Sequence, residues 1–190
     1  MMMTATPPLQ HQPIRGLKRV EYEQLVKQGA FRDERVELVF GQVVAMSPID
    51  PAHIESVSTI LEILIARLQG RAKLVCQGPI AATDDSEPEP DIYVTSTGKY
   101  WHALPSRAFL VVEVARSSLA YDRREKAFLY GISDVDEYWV VDHVHGVIEV
   151  RRDRLEGQWR SIQTLGRGET VAMLAFPDVE VAVSDVVPPE

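Results

Sequence analysis

Residues 108–118, AFLVVEVARSS, constrain the fold most tightly: a run of β-branched and other apolar residues holds no turn signal and is interrupted once, by Glu113. Such a run reads as a strand covered on both faces, which calls for a sheet with helices packed against it. A carboxylate in that setting loses its water, at a cost of several kcal/mol unless a cation or hydrogen-bond donor faces it. What stands opposite Glu113 is the question the sequence poses.

The flanking pattern supplies the rest of the sheet. Residues 18–29 set Val20, Leu25 and Val26 loosely at helical spacing and stop at Gly29, predicting a short helix. RVELVFGQVVAMSP, residues 35–48, predicts a hairpin around Gly41. In residues 52–70, Ile54, Val57, Leu61, Leu64 and Leu68 make a stripe at steps of three and four that Gly70 closes, the strongest helix signal in the chain. Strands are expected at AKLVCQ (72–77), PIAAT (79–83), PDIYVTS (90–96) and 107–115, with the acidic loop DDSEPE between the second and third. A polar-faced helix, LAYDRREKAFLYG, should end at Gly131, and DEYWVVD, GVIEVRR and QWRSIQ predict a meander whose first turn is HVHG. This order favours an α/β or α+β sheet packed by helices over a sandwich.

The chain has 190 residues, enough for one domain, expected over 17–186 behind a disordered arm at 1–16, with a frayed VVPPE end. The opening MMMTATPPLQHQP has no basic start followed by an apolar core, and no apolar run approaches the roughly 20 residues of a membrane span. A net charge of −8 disfavours loose attraction to polyanions, so any nucleic-acid contact must be local. The single Cys76, read as a small buried residue, cannot form an internal disulfide, which fits a reducing, cytoplasmic location.

Asp91 follows a proline at the entrance to an apolar strand, some twenty residues before Glu113. Two acids on separate strands meet if the strands are neighbours, and an Asp–Glu pair at a sheet edge suits magnesium, which takes few carboxylates and several waters. A cation would also keep Glu113 charged in apolar surroundings. Asp122, Lys126 and Tyr130 recur at steps of four, so Lys126 on the following helix can offset charge on a phosphate. Simpler readings stand beside these: an internal salt bridge from Glu113 to Lys126 or an arginine, and a solvated Asp122–Lys126 helix pair. His143 and His145 read as turn residues, and the arginines of EVRRDRLEGQWR as a solvated strand face or, with Trp159, a phosphate-contacting edge.

ELVFGQVVAMSP followed by His53, then PDIYV, then LVVEVARSSLAYDRREKAFLYGISDVDEYWVVD, resemble a large bacterial family abundant in cyanobacteria, within the PD-(D/E)XK restriction-endonuclease-like superfamily. The similarity runs from about Glu21 to Val183. It implies an α/β fold with a mixed central sheet flanked by helices, and a magnesium-dependent endonuclease, with manganese as a substitute ion and DNA as substrate. Asp91 and Glu113 would be the metal ligands, and Lys126, displaced from the superfamily's usual place two residues after the glutamate, where this chain has Ala115, the lysine of the site. Glu37 and His53 fall in the family's amino-terminal motif and could complete it. A homodimer is also implied. The alternatives are a catalytically inactive nuclease-fold module binding nucleic acid or protein, and a metal-independent hydrolase using the two carboxylates as acid and base.

Overall fold

The computed structural model describes residues 15–189, so nearly all of the arm expected at 1–16 lies outside the described residues. The amino-terminal helix α1 (Arg19–Lys27) precedes a hairpin of β1 (Val36–Val39) and β2 (Gln42–Ala45). Its turn is Phe40–Gly41, both at positive φ, and Gly41 lies so close to Gly16 that a Cβ would come within 2.8 Å of backbone. The stripe expected on α1 is not the buried face: Val20 and Val26 are exposed, and Tyr22 packs with Val36 and Leu38 instead.

The long helix α2 (Pro51–Leu68) starts at Asp50, whose side chain accepts the His53 N–H at 2.8 Å, with proline at the first helical position. Its buried residues are Ser56, Val57, Ile60, Leu64 and Leu68, whereas Ile54 faces solvent. Four strands follow: β3 (Lys73–Cys76), β4 (Ile92–Thr95), the two-residue β5 (Arg107–Ala108) and β6 (Leu110–Ala115). Next comes one continuous helical stretch made of α3 (Leu119–Tyr121), a π turn (Asp122–Lys126) and α4 (Ala127–Ile132). The chain ends with β7 (Asp134–Val135), β8 (Tyr138–Asp142), β9 (Val147–Leu155), β10 (Gln158–Leu165), the small β11 (Thr170–Ala172) and β12 (Glu180–Ala182), and α5 (Val183–Val186).

Six strands form the central mixed sheet, in the order β10-β9-β8-β6-β4-β3, with β6 and β8 its parallel pair. Alternation along β6 sends Leu110, Val112 and Val114 into a core shared with α2, β9 and the carboxy-terminal segment. Val111 and Ala115 enter the opposite core, with Ala127, Tyr130, Tyr138 and Trp159. The 108–118 run is thus covered on both faces as its composition requires. Among the described residues no helix is long and apolar enough to cross a membrane.

Several expectations give way to packing. PIAAT forms no ladder: Ile80 N–H bonds Pro88 O and Ala81 N–H bonds Pro105 O, so its backbone is satisfied by two different segments while Ile80 is buried. Gly131 does not end its helix, which runs on to Ile132; a Cβ there would meet Gly157 O at 2.6 Å, so glycine permits the close approach of the β9–β10 turn. VVPPE is not frayed as a whole, since Val186 and Val187 join the core. Cys76 is exposed rather than buried.

Candidate active site

Strand register brings the two acids together. β4 and β6 are antiparallel with Ile92 opposite Val112. One step outward along both strands puts Asp91 opposite Glu113, and the Asp91 N–H points at Glu113 Oε2 across 3.4 Å. The neighbouring Val114 N–H donates to Asp91 Oδ2 at 2.8 Å.

Glu113 lies on the same face of β6 as Val111 and Ala115, so its carboxyl enters the layer beneath the 119–132 helical stretch. There its partners are Lys126 and Tyr130: the ammonium donates to Glu113 Oε1 at 3.0 Å and the phenol to the same oxygen at 2.8 Å. Lys126 also donates to Glu37 Oε2 at 2.6 Å. Glu37, on β1, accepts from the Glu89 N–H at 3.1 Å and the Tyr121 hydroxyl at 3.4 Å. The loop containing Glu89 pairs with β1 through mutual Leu38–Glu87 backbone bonds, which carries Glu37 to the lysine.

His53 closes the other side. From the first turn of α2 its Nε2 lies 2.9 Å from Asp91 Oδ1 and its Nδ1 3.1 Å from Val114 O. Val114 O accepts and a charged Asp91 accepts as well, so the arrangement favours the protonated ring. The hydrogen bond to Asp91 raises its pKa against the opposing effect of burial. All five expected site residues, Glu37, His53, Asp91, Glu113 and Lys126, therefore line one cleft, of about 270 Å³.

The charges there do not balance. At the centre of the cleft Glu37, Asp91, Glu113 and Asp122 face Lys126 and His53, with Arg35 and Arg116 against Asp50 and Glu89 elsewhere in the lining. Burial pushes Glu113 up to about 8 despite the pull of Lys126, and pushes Asp122 up to about 6. Burial opposes the charge on Lys126, but Glu113 and Glu37 outweigh it, so the amine stays an ammonium. Acids outnumber basic side chains in the cleft, and burial favours the neutral form of two of them, Glu113 and Asp122.

Other lining residues carried no distinct signal. Asp122, read as a solvated helix partner, is buried, and Tyr130, buried behind the cleft, donates to Glu113. His143 does sit in the predicted turn, yet it lines the cleft as well, with Nε2 2.8 Å from Ser56 Oγ. His145 instead binds Asp142 at 2.6 Å, away from the cleft. The β9 arginines Arg151, Arg152 and Arg154 are paired with Glu149, Glu137 and Asp134, and the Trp159 ring, buried with its N–H on Ala127 O, offers no stacking face. Among the described residues no three His, Cys, Asp or Glu side chains converge as a ready metal nest.

A mixed central sheet flanked by helices is the restriction-endonuclease-like architecture. Within that class the chain belongs to the Uma2 family, described as "Putative restriction endonuclease", whose model matches residues 19–184. The fold is similar to the crystal structure of "a putative nuclease belonging to DUF820" from Anabaena variabilis ATCC 29413, with a TM-score of 0.67 at 13% identity over 81% of this chain and 90% of that one. No curated protein matches the chain.

Proposed function

We propose that the protein is a divalent-metal-dependent nuclease hydrolysing phosphodiester bonds of DNA, with Asp91 and Glu113 as the ligands of Mg2+ or Mn2+. The observation that carries this reading is the opposition of Asp91 and Glu113 across β4 and β6, with Lys126 on the inner oxygen of Glu113. The donor set fits a hard cation. Glu113 Oε2 has only the long 3.4 Å contact from the Asp91 N–H, so its lone pairs stay available beside Asp91, and a cation there would favour the charged form of Glu113 that burial opposes. Two carboxylates with water completing the shell is an ordinary magnesium arrangement and needs no third acid.

A divalent cation held by Asp91 and Glu113 would supply Lewis-acid chemistry at a phosphoryl group. The chain's own groups do the positioning. Lys126 spends two of its three N–H bonds on Glu37 and Glu113, which fixes the ammonium and leaves one donor for a non-bridging phosphate oxygen. Because it remains protonated it acts as a charge donor and not as the base. Tyr130 and the Val114 N–H hold the two carboxylates in orientation, and His53 holds Asp91 against the sheet edge. The catalytic unit is one domain over 17–186, and a homodimer would supply the second site that cutting both strands requires.

The test is titration of the purified protein with Mg2+ and Mn2+ by calorimetry, in parallel with nicking of supercoiled plasmid. Wild type should bind the ion and nick; Asp91→Ala and Glu113→Ala should keep the circular dichroism spectrum and lose both. A wild type that neither binds metal nor nicks overturns the reading. One observation favours a second reading, a catalytically silent module on the same fold: Asp91, Glu113 and Glu37 already hold cationic partners. Partner binding without metal binding would establish that module.

A further inference from the structure

The cleft continues past the carboxylates. At Arg116 and Ser117 it opens into a shallow surface depression lined by Arg116, Ser117, Leu119, Ala120, Arg123 and Arg124, the first two shared with the cleft. Three arginines and no acid line it, in a chain with 28 acidic against 20 basic side chains. The strip is a local exception to the field of the whole molecule.

Its three arginines are held differently. Arg123 is anchored, with Nε 2.7 Å from Glu149 Oε1 and a terminal nitrogen 2.7 Å from the buried Asp142. Arg116 and Arg124 are exposed; Arg116 reaches Asp50 at 3.2 Å on the surface, and Arg124 bonds Ala120 O, with Glu125 no nearer than 4.0 Å. Exposed contacts of that kind contribute little to stability, so a phosphate can replace them. The strip is also in fixed register with the chemistry, since it occupies the segment between Glu113 on β6 and Lys126 in the π turn.

We propose that Arg116 and Arg124 carry the phosphodiester backbone of a DNA duplex flanking the scissile phosphate, an assignment that rests on the nuclease reading above. It reconciles a chain of net charge −8 with a polyanionic substrate: attraction is confined to one strip leading out of the cleft.

The experiment measures binding of a fluorescein-labelled DNA duplex by fluorescence anisotropy in Ca2+ over a series of salt concentrations. The double variant Arg116→Ala/Arg124→Ala should bind at least tenfold more weakly. Its plot of log affinity against log salt should flatten by about 2, since each lost phosphate contact removes about 0.9 from the slope. Arg116→Lys/Arg124→Lys should keep most of the slope, and calorimetric Mn2+ binding should be unchanged in both variants. If wild type nicks plasmid but the alanine pair keeps the wild-type slope, the strip is overturned while the nuclease stands. If wild type neither binds duplex nor nicks, both fall. A labelled RNA duplex bound more tightly than DNA, with the same loss in the alanine pair, overturns the choice of DNA.

Discussion

Lys126 is the residue on which the buried site balances. It sits between Glu37 and Glu113 in a place with almost no water, so removing its charge leaves two carboxylates with no cation between them. Uncompensated buried charge of that kind costs about 3–5 kcal/mol. Lys126→Met, which keeps the length of the stem, should lower stability by that order in urea unfolding at pH 7.5. Adding Glu113→Gln removes one of the stranded charges, and the double variant should recover part of the loss; strictly additive losses would mean that the two groups do not interact. Asp91, Glu113 and Lys126 are legible in the sequence because each breaks a pattern: an acid at a strand entrance, an acid inside an apolar run, a cation on a helix face repeating every four residues. Glu37 and His53 are legible through the family resemblance alone, since a strand-edge acid and a helix-start histidine are common. Asp122 was hidden because acid–lysine pairs at four-residue spacing normally sit in water, and its burial depends on an approach of sheet and helix that no local pattern encodes.

Elements set the phase in which these side chains arrive. In a regular α-helix, residues four apart drift by about 40° per step, so Asp122, Lys126 and Tyr130 would fan away from one another. The π turn at Asp122–Lys126 is wider and takes up that drift, keeping all three buried. On α2 most of the expected stripe is the buried face: Val57, Leu64 and Leu68 are buried and Leu61 packs against the core, while Ile60 takes the place expected of Ile54, because steps of three and four fit both residues. The turn that aims His53 at Asp91 leaves its neighbour Ile54 in solvent. Hairpins and β8 to β10 were readable from turn residues and alternation; β11, β12 and α5, at three or four residues each, are too short for periodicity to register. Gly131 marks the limit of reading glycine as a terminator, since its role is set by a partner 26 positions later. Gly131→Ala should therefore destabilise the protein by about 1–3 kcal/mol, through a methyl group forced against Gly157 backbone, despite the better helix propensity of alanine. In differential scanning calorimetry that is a fall of several degrees for a chain of this size, and an unchanged or raised Tm would show that the β9–β10 turn moves freely.

At the scale of the whole molecule, acids outnumber bases, and the pH dependence of folding follows from where the surplus is buried. Glu87 lies in the loop that pairs with β1 and thereby carries Glu37 to the site. Its carboxyl is driven up to about 7, chiefly by burial and next by the charge of Glu23, with Arg19 only partly opposing, and its Oε2 has no hydrogen-bond partner among the described residues. An unfolded glutamate titrates near about 4.3. Between that value and about 7 the folded chain keeps a proton that the unfolded chain has released, so stability is fully present below the lower value and is lost as pH rises through the upper one. Glu87→Gln mimics the neutral acid at every pH. Its stability should equal that of wild type near pH 4.5 and exceed it by at least about 1 kcal/mol above pH 7.5, with the gap opening across the interval between. Urea unfolding of both proteins at pH 4.5, 6 and 8 reads this directly, and parallel curves would place the carboxyl of Glu87 in contact with water. Because Glu87 touches none of the groups placed at the acid pair, the same substitution should leave calorimetric Mn2+ binding at pH 7.5 intact, which separates the cost of holding the loop in place from the chemistry the loop supports.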